Sequence, residues 1–327
     1  MENLKLYTKK LIRAVAFFLI LALLLVGSGY MMMPKGNSKK DGILNPNARG
    51  FYAEPKNSID IAIVGNSDAY SGFSPLELWH NYGITSYISG EGRQRMSEAI
   101  NVLNEVLQFQ KPKLVILETD MIFTYGDKTE ELTETLDYAA QGVLPVLRYH
   151  DRWKDTSVKE MFKQPEYKWH SYTRGQFTSN AVKPCNKKEY MIPTDEVTPI
   201  SFTVRTFLDR FVKICEDNDI ELLFVQVPSA SSWKYEKHNA IQQYADSKNI
   251  PFIDYDINRS QYGIDWQTDA RDNKGNHLNT RGARKITMHL GKYLKENYTC
   301  FEDRRNDTEL SKRWNADYKK YKSKSKI

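Results

Sequence analysis

Cysteine is scarce in this sequence: three in 327 residues, at positions 185, 215 and 300, with no CxxC pair. An odd count at isolated positions argues against a disulfide framework and a structural zinc site. Charge of one sign is not in large excess either. Lys and Arg number 47 against 41 Asp and Glu, a net charge of +6, which falls far short of the basic stripe of a nucleic-acid binder. There is no zinc-finger, RNP-like or basic-zipper spacing, no apparent internal repeat, and no GxGxxG of the dinucleotide-binding folds. No nucleic acid, metal or organic cofactor is therefore expected. Histidine is rare as well, at six, so candidate general bases are few.

One long hydrophobic run is present. "AVAFFLILALLLVGSGYMMM", Ala14 to Met33, carries no charge. As a helix rising 1.5 Å per residue it spans about 30 Å, the thickness of a hydrocarbon core. Lys5, Lys9, Lys10 and Arg13 precede it, favouring a cytoplasmic N-terminus at residues 1–13. The expectation is a single-pass signal anchor over 14–33, with the rest of the chain outside the cytoplasm; a cleaved signal peptide would give the same placement. The stretch from Pro34 to Ser58 is rich in Pro, Gly, Asn and Lys and reads as a tether, with a linker over 34–57.

Strand-like and helix-like segments then alternate. "IDIAIVG", "ITSYIS", "KLVILET", "IELLFVQVP" and "IPFIDY" are short apolar runs separated by amphipathic helical stretches. Five such alternations predict an α/β fold with about five parallel strands and helices on both faces. The alternation breaks over about 122–200, where Tyr149, Trp153, Trp169 and Tyr172 stand among polar residues. That interval is too long for a plain loop and reads as a partly helical insertion over the sheet. The domain is bounded at 58–300. The segment 301–327 reads as a charged, solvated tail, or as a contact for anionic lipid headgroups or an anionic wall polymer.

Ligands of an open parallel sheet gather beyond the carboxyl ends of its strands. There the sequence offers Gly65-Asn66-Ser67-Asp68, Ser89-Gly90-Glu91-Gly92, Glu118-Thr119-Asp120, and "DNKGNHLN" with Asp272, Asn276, His277 and Asn279. A serine hydroxyl is a poor nucleophile until a base takes its proton, and His277 is the candidate base for Ser67. A carboxylate on the far imidazole nitrogen would fix its tautomer. The N–H groups of Ser67 and Gly90 could receive an oxyanion. Against this, a lone serine after a strand is most often a turn residue, and His277 could merely cap the last helix.

Taken together, "VGNSDAYSGFSPLELWHNYGI", "SGEGRQ", "KPKLVILET" and "GNHLNTRGARKIT" resemble the SGNH/GDSL hydrolase superfamily. The likeness is to its membrane-anchored Gram-positive branch, similar to DltD and to acetyltransferase-associated SGNH proteins. It implies a three-layer α/β/α flavodoxin-like fold, Ser67 as nucleophile, His277 as base and Gly90 as oxyanion donor, with Gly92 a neighbour. The sequence departs from the pattern in three places. Asp120 stands where an asparagine oxyanion donor is common, and an ionised carboxylate cannot donate; as the implied oxyanion residue Asp120 is either protonated, or plays another role, or Thr119 donates instead. Lys274 stands three residues before the histidine, where an aspartate is usual, leaving Asp272, or more weakly Asp269, as the acid. Asp68 follows the serine where that branch often has histidine. The resemblance implies a membrane-tethered esterase or O-acyltransferase acting on an acylated cell-envelope polysaccharide or carrier, partnered by a membrane-bound O-acyltransferase. The alternative is a non-catalytic envelope protein on the same fold that binds glycopolymer or scaffolds a biosynthetic complex.

Overall fold

The computed structural model describes residues 2–124, 127–143, 146–154, 156–187 and 189–325. Met1, Tyr125, Gly126, Leu144, Pro145, Asp155, Lys188, Lys326 and Ile327, which belong to the segments read above as N-terminus, insertion and tail, lie outside the described residues. The main elements run α1 (Glu2–Met32), β1 (Ile61–Val64), α2 (Ser67–Gly72), α3 (Pro75–Tyr82), β2 (Ser86–Ile88), α4 (Met96–Phe109), β3 (Leu114–Glu118), α5 (Lys128–Val143), α6 (Phe202–Asp217), β4 (Glu221–Gln226), α7 (Tyr235–Lys248), β5 (Phe252–Asp254), α8 (Thr280–Asn297) and α9 (Thr308–Ser325).

They form two compact units. One holds Met1–Leu44 with Lys128–Lys168, and so contains α1 and α5. Within α1, Tyr7–Met32 is long and apolar enough to cross a membrane, as an anchor or a signal sequence would be, with a mean hydropathy of 2.5.

The other unit, Asn45–Asp127 with Trp169–Ile327, is built on the sheet. All five strands are parallel, in the order β2-β1-β3-β4-β5. Every residue of β1 and β3 is buried, as the apolar runs require of strands covered on both faces. Alternate residues Ile61, Ile63, Leu114, Ile116, Leu223 and Val225 join one apolar cluster with Phe73, Leu78, Ile286 and Leu290. Burying a side chain of this size contributes about 1.5–3 kcal/mol. On this side α8 packs against α3 and α2, while α4 packs against α6 in the second helical layer. Strand order reverses between β1 and β3, so a crevice for ligands is expected beyond the carboxyl ends of those two strands.

Three expected boundaries give way. The linker 34–57 is not a tether from Asn45 onward. Phe51 is fully buried, Tyr52 packs edge-on against Phe109 at 4.6 Å, and Arg49 pairs with Glu105 at 2.7 Å. The polar composition of that stretch concealed an aromatic pair that docks on α4. The insertion 122–200 divides between the units: α5 belongs with α1, whereas 169–200, without helix or strand among its described residues, lines the sheet unit. Over its described residues, 301–325, the tail is not solvated either. It folds into α9, which packs on α3 and buries Leu310, Trp314 and Tyr321. Those residues recur at helical spacing within a lysine-rich run.

Candidate active site

Ser67 owes its position to β1. The strand ends at Val64, and Asn66 caps α2, its side-chain oxygen accepting from the Asp68 N–H at 2.8 Å. Ser67 is thus the first residue of α2, at the switch point of the sheet. Its hydroxyl acts on the Tyr70 phenol, one helical turn on, where it partly offsets the burial that raises that phenol's pKa. On the adjacent strand the Ser89 N–H donates to the Ile63 carbonyl at 2.8 Å, which brings Gly90 against the β1 turn. A Cβ at residue 90 would stand 2.9 Å from the Gly65 carbonyl oxygen and 3.2 Å from that of Asn66. Glycine permits this approach of two backbones, and a larger residue would force them apart.

His277 arrives from the far end of the sequence, on a loop before α8. The loop turns at Gly275, whose φ of +66° suits glycine. The turn folds Asp272 back over the residues that follow. Its carboxylate accepts from the N–H groups of Lys274, Asn276 and His277 at 3.1, 3.0 and 3.2 Å, and lies 3.3 Å from His277 Nδ1. This bulge brings an acid five residues upstream to the imidazole even though Lys274 occupies position minus three. Burial pushes the Asp272 carboxyl up, but the Asn276 N–H, the imidazole and the Lys274 N–H outweigh it and hold it below the usual carboxylate range. For His277, burial and then the nearby Arg271 lower the pKa, and Asp272 and Asp120 only partly offset them. At neutral pH the ring is therefore uncharged, the state a base requires. The helix cap is supplied by Asn279, whose side-chain oxygen accepts from the Gly282 N–H at 3.1 Å. His277 is thereby left free of that duty.

Among the described residues no hydrogen bond joins Ser67 to His277; instead they share neighbours. Asp120 acts electrostatically on both Asp68 and His277, and Arg271 acts on Asp68, Tyr70 and His277. Asn276 Nδ2 lies 3.0 Å from His277 Nδ1 and 3.2 Å from Nε2, against the imidazole ring.

The remaining candidates are sorted by their partners. Asp120 accepts from Lys237 Nζ at 3.3 Å and from Asn66 Nδ2 at 3.4 Å. It stands as an ion-paired acceptor, with Lys237 and Asn66 as its donors. Thr119 is fully buried and donates its hydroxyl to Gln226 at 2.8 Å, so it is already committed. Asp269 faces Lys285 at 2.6 Å and Arg281 at 3.3 Å, away from His277. Gly92 lies beside the Tyr70 phenol. Lys237, Arg271, Tyr70 and Asn276 complete the surroundings, and the sequence did not single out the first three. Each sits in an amphipathic or polar stretch with no motif of its own.

Beneath these groups lies a buried acid. Glu118 is fully buried; one carboxyl oxygen accepts from the Asp120 N–H at 2.9 Å and the other has no partner among the described residues. Burial, then Asp120, pushes its pKa well above the usual range. The folded state keeps a proton that the unfolded chain gives up near about pH 4.3, so stability falls as pH rises above that value. Glu118→Gln keeps the acceptor and removes the titration. The variant should gain melting temperature over the parent at pH 8 and gain little at pH 4.5. A gap that does not widen between those two melts would mean that Glu118 is ionised in the fold.

Neither a protein-family model nor a curated protein sequence matches the chain. Among solved structures it is similar to a GDSL-like lipase from Bacteroides thetaiotaomicron, at 11% identity over 72% of this chain and 87% of that one, with a TM-score of 0.35. It is similar also to an acetyl xylan esterase, at 13% identity over 73% and 99% of the two chains, with a TM-score of 0.37.

Proposed function

We propose that the chain is a serine ester hydrolase or O-acyltransferase, with Ser67 as nucleophile, His277 as base and Asp272 as the acid behind it. The observation that carries this reading is the Asp272–His277 contact at 3.3 Å, in a loop that shares its charged neighbours with the Ser67 turn. In the proposed cycle Ser67 Oγ attacks the ester carbonyl. The Oγ–carbon bond forms, the serine proton passes to His277 Nε2, and Asp272 steadies the imidazolium through Nδ1–H. The tetrahedral oxyanion takes the N–H groups of Ser67 and Gly90. The carbon–oxygen bond to the alcohol then breaks, and the alcohol leaves with the proton from His277. Water, or the hydroxyl of an acceptor, attacks the acyl-serine in the same way. Its proton returns through His277 to Ser67, releasing a free acid or a new ester. Water gives hydrolysis and a sugar hydroxyl gives transfer.

An acylated cell-envelope glycopolymer or its carrier is the proposed substrate. α1 is read as a single-pass anchor that holds the site outside the cytoplasm, near a membrane-bound O-acyltransferase. The support is the apolar run of α1 behind Lys5, Lys9, Lys10 and Arg13, together with the motif resemblance. A direct test is labelling of the detergent-solubilised full chain with a fluorophosphonate. A single adduct, mapped by mass spectrometry to Ser67 and lost in His277→Ala, is expected. Absence of any adduct at Ser67 would remove the nucleophile from this scheme.

A further inference from the structure

One cation at this rim is spoken for and one is not. Lys237 is held by Asp120 and by the Ser232 carbonyl at 2.7 Å. Arg271 is different. Its backbone N–H donates to the His277 carbonyl at 3.0 Å, which fixes its Cα beside the candidate base. Its guanidinium lies 4.6 Å over the Phe177 ring. Among the described residues it forms no ion pair and its side chain donates no hydrogen bond. Arg49, Arg174, Arg259, Arg304, Arg305 and Arg313 each have an acid partner. Phe177 is itself 48% exposed and is tied to α2 by its N–H, which donates to the Tyr70 carbonyl at 2.8 Å. The Tyr70 and Phe177 rings stand 6.1 Å apart. A half-buried guanidinium parked on an aromatic face keeps its five donors in a planar fork suited to a carboxylate or phosphate.

We infer that Arg271, backed by Phe177 and Tyr70, is a specificity-determining residue that seats an acidic group, a carboxylate or phosphate, carried by the substrate ester. This rests on the reading of Ser67 and His277 as the reacting pair, and it adds what that pair acts on. The seat flanks the reacting atoms, so the acid could sit on the acyl side or on the alcohol side of the ester. Arg271 also depresses the His277 pKa, so an acid bound there would make the base easier to protonate as well as orienting the ester.

The test uses the full chain in detergent and two pairs of esters. Mono-4-nitrophenyl succinate against 4-nitrophenyl butyrate places the acid on the acyl side. 4-Acetoxybenzoate against phenyl acetate places it on the alcohol side. For one pair the ratio of kcat/KM, acidic over neutral, should fall about ten- to a hundred-fold in Arg271→Gln, the scale of a charge-assisted hydrogen bond. Arg271→Lys should recover part of it, and added salt should weaken the preference in the parent chain. Ratios unchanged by Arg271→Gln in both pairs overturn the inference while leaving Ser67 chemistry intact. If no ester is turned over in a Ser67-dependent manner, the reaction scheme fails and binding decides the seat. Calorimetry of Ser67→Ala with 4-acetamidobenzoate and its amide should then show a preference for the acid that Arg271→Gln abolishes. No preference for the acid overturns it.

Discussion

Ser67→Ala should lose at least about 10³-fold in kcat/KM toward a neutral activated ester such as 4-nitrophenyl acetate, the cost of removing the nucleophile of a coupled triad. The substitution deletes one hydroxyl from a partly exposed residue, so the fold is not at stake. His277→Ala should cost a comparable factor, and the double variant little more than either alone, because the two groups act as one unit. Asp272→Asn should reduce kcat more than it raises KM, since the acid stabilises the charged ring only as the proton moves. The pH profile supplies an independent check. Activity needs an uncharged imidazole and is lost as pH falls through its folded pKa. Burial and Arg271 lower that pKa and outweigh Asp272, so the acid limb of kcat/KM should have its midpoint below the ordinary histidine value of about 6.5. Turnover that survives in Ser67→Ala would exclude the scheme. An acid limb above 6.5 would mean that Asp272 dominates the ring electrostatics.

The sheet was legible because burial on both faces leaves a direct trace: each of the five strands falls within an apolar run. The order of the strands was not written in any one run, yet alternation with helices restricts it strongly. Ser67, Gly90 and His277 could be named because they follow strand ends or precede a helix, positions the chain marks with small and polar residues. The Asp272 contact was less accessible. It depends on a left-handed Gly275 that folds five residues into a bulge, and spacing alone favours the third residue upstream. Lys237 and Arg271 were invisible for a different reason. Which lysine of α7 meets Asp120, and which arginine reaches the Tyr70–Phe177 wall, is settled by packing between elements far apart in sequence. The fate of 301–325 shows the converse error. Its high charge masks the period of Leu310, Trp314 and Tyr321, although a lysine-rich helix can still present one buried face.

That buried face carries the largest expected effect on stability. Trp314 is fully buried. Its ring packs against Trp79 at a centroid separation of 5.2 Å, and the Arg174 guanidinium lies 4.3 Å from its ring centroid. Trp79 in turn donates its indole N–H to Asn315 at 2.9 Å, so α9 and α3 grip each other from both sides. Arg174, fully buried, also pairs with Asp317 at 2.8 Å. Trp314→Ala therefore opens a large cavity and uncovers a buried charge at the same time. The cavity alone costs roughly 3–5 kcal/mol, equivalent to about 6–20 °C in melting temperature for a domain of this size. Trp314→Phe, which keeps a ring on Trp79, should recover about half. Lys319→Glu and Lys322→Glu, on the exposed side of the same helix, should stay within about 0.5 kcal/mol of the parent. Thermal melts of the four variants in one detergent decide the matter. A Trp314→Ala chain that melts with the parent would show α9 undocked in solution, because a docked helix could not lose that ring's contacts without cost.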